Sequence, residues 1–219
     1  AGIDPSDSDL WVQIGRYDLS TPMGKNASVQ FGGDVVTCTL DGAIPLSAVV
    51  TKDPAQLSLA AVSRTIEPEW KREALRRGDV PWQAVKWAAK NMAIVSLPVI
   101  NATTPSGCFV VNLETGAWAK YTGWDVRSLC LYNDQVYFGT TTGQVFVAES
   151  GGLDNSAAYE CRMAGLFEPL ANQGQTVMAR LARATFLAGT EFNAKVSLSS
   201  NYNTQFPTAP TGAEADTTA

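Results

Sequence analysis

Apolar positions cluster along much of the chain in short runs rich in β-branched and aromatic residues, set apart by polar turns. Residues 35–39, 93–97, 109–112, 128–132, 136–139 and 145–148 read this way and predict strands. Turn chemistry separates them: Asp41-Gly42, Thr115-Gly116, Asn133-Asp134, Thr142-Gly143 and Gly151-Gly152. A glycine after a short polar residue supplies the positive φ of a tight hairpin. One stretch, residues 67–77, departs from this pattern and reads as a helix. Pro68 sits near its start, where a missing N–H costs little, and Gly78 follows its end. Glu67 and Glu69 lie near the positive end of its dipole, Arg76 and Arg77 near the negative end. Glu69 and Glu73 are spaced to pair with Arg72, Arg76 or Arg77. Residues 53–62 (DPAQLSLAAV) predict a further short helix.

Three segments fall into one frame. Residues 35–44, 109–118 and 136–145 each hold a strand, a polar turn and a return strand. The glycine of each turn (Gly42, Gly116, Gly143) lies seven residues after the first apolar position. Recurring hairpins of this kind build β-propeller blades of about 40–45 residues. The expected fold class is mainly β, with propeller-like blades of antiparallel hairpins, a short helical insertion and a β-rich C-terminal region. The expected division is a propeller-like β segment over 1–62 and a basic helical insertion over 63–90. Propeller-like blades over 91–160 and a C-terminal β segment with a polar tail over 161–219 follow. A ring of four or more blades needs at least ~160 residues, and too little of this chain reads as blades. The expectation is therefore part of a longer polypeptide, or a ring that another chain completes.

Composition narrows the chemistry. Of 219 residues 45% are apolar, enough for a core without staples, and only 17% are charged. No apolar run approaches the ~18 residues of a membrane span. Histidine is absent, which removes Ser-His-Asp and Cys-His catalysis and every His-dependent zinc site. The net charge of −5 argues against a surface that binds nucleic acid by neutralising phosphates. Cys38, Cys108, Cys130 and Cys161 contain no C-x-x-C pair and read as unpaired, mostly buried thiols of a reducing compartment. Asp4, Asp7 and Asp9 lack the glycine and distal glutamate of a calcium loop. Gly151–Asn155 reads as a plain turn. No phosphate loop and no nucleophile elbow occurs, and nothing singles out a carboxylate pair for glycoside hydrolysis. Trp82, Trp87, Trp118 and Trp124 read as packing residues, with a sugar- or base-stacking surface as the alternative. The expectation is a non-enzymatic protein with no catalytic residue, no metal and no cofactor.

Charge is segregated. Residues 1–62 carry 3 basic and 7 acidic groups, residues 63–90 carry 7 and 4, and residues 91–160 carry 2 and 6. The basic island coincides with the helix. Arg64, Lys71, Arg72, Arg76 and Arg77 are the candidate subunit-interface residues, meeting acidic flanks of a neighbour. A solvated face is the competing reading, and DNA contact the third.

Several segments together resemble the tail nozzle (tail tubular protein B-like) proteins of short-tailed bacteriophages, from about Leu10 to Phe206. They are Gly32-Gly33-Asp34-Val35-Val36, Asp41-Gly42-Ala43-Ile44-Pro45-Leu46-Ser47, Trp82-Gln83 and residues 92–98. Val111-Asn112, Thr115-Gly116-Ala117-Trp118, Gly123-Trp124, Tyr137-Phe138-Gly139-Thr140 and Gly143 complete the set. Their order and spacing carry the likeness. The resemblance implies a virion protein built on a β-propeller, assembled as a ring beneath the portal and adaptor in the host cytoplasm. Its partners would be copies of itself, the tail adaptor or portal proteins, and DNA in transient passage to the outside. A receptor- or glycan-binding tail protein, or a polysaccharide hydrolase, are the alternatives.

Overall fold

A computed structural model describes residue 6, residues 16–31, 33–165, 183, 185, 187 and 194–196. The chain forms two compact units, Ala1–Ser150 and Gly151–Ala219. Most of the expected C-terminal β segment lies outside the described residues, as do Asp4, Asp7 and Asp9.

The first unit is mainly β. It holds β1 (Ser28–Phe31), β2 (Asp34–Thr39), β3 (Gly42–Pro45), β4 (Ala84–Trp87) and β5 (Met92–Leu97). β6 (Gly107–Asn112), β7 (Trp118–Thr122), β8 (Ser128–Tyr132), β9 (Gln135–Gly139) and β10 (Val145–Val147) follow. They make three antiparallel sheets in simple sequence order: β1-β2-β3, β4-β5-β6-β7 and β8-β9-β10. None of the three is closed or curled. α1 (Leu46–Thr51) and α2 (Glu67–Arg77) lie between the first and second sheets in sequence. A 3-10 turn, Arg64–Ile66, runs directly into α2. No described helix is long and apolar enough to cross a membrane.

The three segments of the internal repeat are three hairpins: β2–β3, β6–β7 and β9–β10. Gly42, Gly116 and Gly143 all take positive φ, at 142°, 70° and 81°. The loops differ nonetheless. Thr39 pairs with Gly42 across Leu40 and Asp41, whereas Asn112 closes on Ala117 and Thr140 on Gln144. A seven-residue frame therefore tolerates different loop lengths, because a slip in the loop is absorbed at the strand ends. The Asn133-Asp134 turn between β8 and β9 has positive φ at both residues, as a two-residue hairpin with right-handed strand twist demands.

Side-chain alternation on the second sheet decides where the cores lie. Val95, Leu97 and Phe109 face one way and pack with Val36, Cys38 and Ala43 of the first sheet and Trp70 and Ala74 of α2. Trp87, Ile94, Cys108 and Val110 face the other way and pack with Val136 and Phe138 of the third sheet. The middle sheet is thus covered on both faces, which accounts for its near-continuous apolar strands. The outer face of the first sheet is covered by chain-local helix: Ile44 packs on Val49 of α1, Leu57 and Ala61.

α1 was not foreseen. Its sequence, LSAVVT, is β-branched and favours a strand. Burial of Ala48 and Val49 outweighs that local preference. Asp34 of β2 supplies the cap that the helix lacks, accepting from Ser47 Oγ at 2.6 Å and Ser47 N at 3.3 Å. The 53–62 stretch becomes a 3-10 helix, Pro54–Ala60, tighter than an α-helix.

The close approach of β6 to β7 gives a test. A β-carbon added at Gly107 would lie 2.4 Å from the backbone oxygen of Tyr121, which has no room to retreat. Gly107→Ala should cost about 1–3 kcal/mol in urea denaturation. Gly33→Ala meets nothing within 4 Å and should stay within about 0.5 kcal/mol of the parent.

Candidate subunit interface

The basic island is built on α2, and the helix stripe determines which charges it displays. Trp70, Glu73, Ala74 and Arg77 form the buried face, at i, i+3, i+4 and i+7. Trp70 stacks on Phe109 with ring centroids 5.5 Å apart and donates from Nε1 to Thr39 O at 2.9 Å. Arg64, Lys71, Arg72 and Arg76 fall on the outer side, with side chains 40–60% exposed.

Arg77 departs from the expectation. Its side chain is fully buried, so it presents nothing to a neighbouring subunit. Its Nε donates to Glu73 at 2.7 Å, and its guanidinium reaches Leu97 O (3.0 Å), Pro98 O (2.8 Å) and Pro105 O (2.6 Å). Those carbonyls flank the loop joining β5 to β6, so Arg77 ties the end of α2 to the middle sheet. Its position on the Trp70–Ala74 stripe was the signal for this role.

Every exposed basic group of the helix already has a carboxylate within reach. Arg64 and Lys71 share Glu67, the latter at 2.7 Å, Arg72 pairs with Glu69, and Arg76 lies 3.5 Å from Glu73. Lys120 of β7, which the sequence did not single out, bridges Glu69 at 2.6 Å and Glu73 at 2.8 Å. The basic island is therefore a lattice in which three carboxylates are shared among six cations, and it stays net basic. Such a face can meet a partner by exchanging ion pairs, and its excess of basic groups suits an acidic surface on that partner.

Protonation follows from this lattice. Burial disfavours the ionised form of Glu73 and Glu69, but hydrogen bonds from Lys120 and the nearby Arg77 and Arg72 outweigh it. Both carboxyls sit below their ordinary 4.5. The hydrogen bond from Lys71 lowers Glu67 as well, against a smaller opposing cost of burial.

The four cysteines are unpaired. Cys38 and Cys108 are buried, and burial pushes the Cys38 thiol up to about 12 and the Cys108 thiol up as well. Cys130 and Cys161 are exposed, against the expectation that most would be buried. Cys130 sits on the outer face of the third sheet, where strand alternation, and not apolar neighbours, sets its exposure. Among the described residues no group of three or more Cys, Asp or Glu side chains is arranged to hold a metal ion. Trp82 and Trp87 are fully buried, and Trp118 and Trp124 pack against the two main cores. No protein-family model, no curated protein and no solved structure matches the chain.

Arg77→Leu should cost about 3 kcal/mol, because it leaves buried carbonyls and Glu73 without their main donor. The acid limb of stability tests the carboxylates. Their folded pKa values are depressed, so the stabilisation is complete above the unfolded value near 4.5 and is lost as pH falls below it. Urea midpoints taken between pH 7 and pH 3 should therefore fall below about pH 4.5, and less steeply in Glu69→Gln.

Proposed function

We propose that the chain is a structural, non-enzymatic component of the tail nozzle ring of a short-tailed bacteriophage, part of the distal channel through which DNA leaves the virion. One observation carries the reading beyond the resemblance of the sequence. The three sheets are successive meanders, and the first strand of each, β1, β4 and β8, approaches the first strand of the next. Asn26, just before β1, bridges in parallel to Gln83, just before β4. Gln83 in turn accepts at its Oε1 from Leu129 N of β8, at 2.8 Å. First strands that gather while later strands fan outward are the plan of propeller blades around an axis.

In this reading each sheet is a blade or part of one. Further blades come from copies of the chain or from other polypeptide, and α2 with its 3-10 turn stands outside the ring plan. The lattice of Arg64, Lys71, Arg72 and Arg76 with Glu67, Glu69 and Glu73 serves contacts between subunits or with the adaptor. Exposed charge pairs of this type set register and association rate more than affinity. An acidic chain suits a conduit. Net negative charge repels phosphates, whereas each lysine or arginine contact to DNA would add a salt-sensitive grip.

Cryo-electron microscopy of the virion that contains this chain tests the reading, with density expected in a ring at the distal tail. Binding of the isolated protein to host cells in place of ring density would select a receptor or glycan binder. Release of reducing sugars from host polysaccharide would select a hydrolase. Arg64→Gln, Lys71→Gln and Arg72→Gln together should leave thermal unfolding of the isolated chain within about 1 kcal/mol, since exposed pairs contribute little. The same variant should enter tails poorly. Normal incorporation would remove the helix from the interface.

A further inference from the structure

Two exposed features of the first unit are complementary in charge. The first is the outer side of α2, where six cations share three carboxylates and leave positive charge in excess. Leu75, 74% exposed, stands one turn after Lys71 and Arg72 and gives this basic face an apolar centre. The second is the tip of the β8–β9 hairpin. Tyr132 is 71% exposed there, and Asp134 beside it is exposed as well. Residues 128–149 hold Asp134 and Glu149 and no lysine or arginine. Glu149 already accepts from the Tyr121 hydroxyl at 2.6 Å, which leaves Asp134 as the carboxylate of the tip. The turn is fixed before any partner arrives, because the buried Trp87 donates from Nε1 to Asp134 O at 2.7 Å. The β4–β5 connection beside it brings Lys90, over the Trp87 ring, and the adjoining β6–β7 turn brings Glu114, so this end keeps an acidic balance.

The fold holds the two features apart. α2 packs by Trp70 and Ala74 on the face of the middle sheet that carries Val95, Leu97 and Phe109. β9 packs by Val136 and Phe138 on the opposite face, against Ile94, Cys108 and Val110. The middle sheet stands between them, so α2 and the hairpin tip of one chain cannot meet. Between two copies they can, and only head to tail. Each such contact spends one α2 and one hairpin and leaves the other α2 and the other hairpin free for further copies. That is the heterologous contact from which a ring closes.

We infer that the α2 face takes the β8–β9 hairpin of a second copy. Asp134 of the partner subunit enters beside Lys71 and Arg72, and Tyr132 of the partner subunit covers Leu75. Arg72 then exchanges part of its pairing with Glu69 for the new carboxylate, so the contact sets register and association rate more than affinity. A nucleic-acid backbone fits this face poorly. Glu67 and Glu69 stand among the cations and repel phosphates, and Leu75 finds no apolar counterpart there. The inference names the neighbour that α2 meets in the nozzle reading and rests on that reading for the ring, while the contact itself is a property of the chain in solution.

Sedimentation of the full chain over a concentration series, at low and at high salt, tests this. The expected result is association that continues past the dimer and weakens as salt screens the contact. Arg72→Glu and Asp134→Lys should each weaken association roughly tenfold or more by setting like charges opposite one another. Mixing the two variants should restore it, because each reversed patch then meets its complement. Leu75→Ala should weaken association while urea unfolding stays unchanged. Asp134 has a φ of 58°, so Asp134→Asn removes the charge where lysine disturbs the turn. Should the charge-reversed variants fail to fold, carbodiimide coupling of Lys71 to Asp134 between isotope-labelled and unlabelled copies of the unmodified chain decides. Monomers at every concentration, variants that associate normally, or a mixture no better than its parts overturn the inference and leave the nozzle reading to the virion image. A virion without the ring, alongside restored mixtures, removes the nozzle reading and keeps this contact.

Discussion

Arg77 is taken wholly out of water without losing a hydrogen-bond partner, and the arrangement of α2 depends on that. A buried guanidinium is costly unless its charge is matched and its fork of donors filled. Glu73 supplies the charge, one turn back on the same helix, and three main-chain carbonyls around the β5–β6 loop fill the fork. The consequence is geometric. The helix cannot slide or roll without stripping Arg77 of several partners at once, so Trp70 is held over Phe109 and against Trp82. The core between the first two sheets is thereby specified by a polar anchor as well as by apolar volume.

The middle sheet is the second constraint, and it follows from the first. With α2 and the first sheet on one face and the third sheet on the other, its strands bury both sets of side chains. Such a sheet has little freedom of register, because a slip of one residue would exchange two differently shaped cores. Gly107 reports the tightness of the fit: its backbone leaves no space for a methyl group beside Tyr121. Gln83 then links the three sheets at their first strands through its own backbone and its side-chain oxygen. Polar ties at one side and apolar packing between the faces together hold the stack without any covalent staple.

Charge has two separate tasks on α2. The inner pair, Glu73 with Arg77, is structural and shielded from salt. The outer groups are exposed, share their carboxylates, and are weakly coupled to stability. A surface of that kind can be rearranged against a partner at low cost to the fold. Lys120 connects the two tasks, since it reaches both Glu69 on the outside and Glu73 within.

How much of this was legible in the sequence varies by residue. The hairpins were, because a short β-branched or aromatic run and a glycine after a polar residue act over a few positions, and Gly42, Gly116 and Gly143 obey local backbone sterics. The bounds of α2 were equally legible from Pro68, the flanking charges and Gly78. β1 and β4 were not: four residues each, with Gln30 and Lys86 inside them, carry too little periodic signal. α1 contradicted its own propensities, because burial over Ile44 outweighs the preference of a β-branched run. The candidate interface divided in the same way. The sequence by itself determined that a basic helix exists, and tertiary structure alone decided that Arg77 turns inward and that Lys120 joins its carboxylates. Local rules govern what a segment becomes; which of its faces is spent on the core depends on neighbours far along the chain.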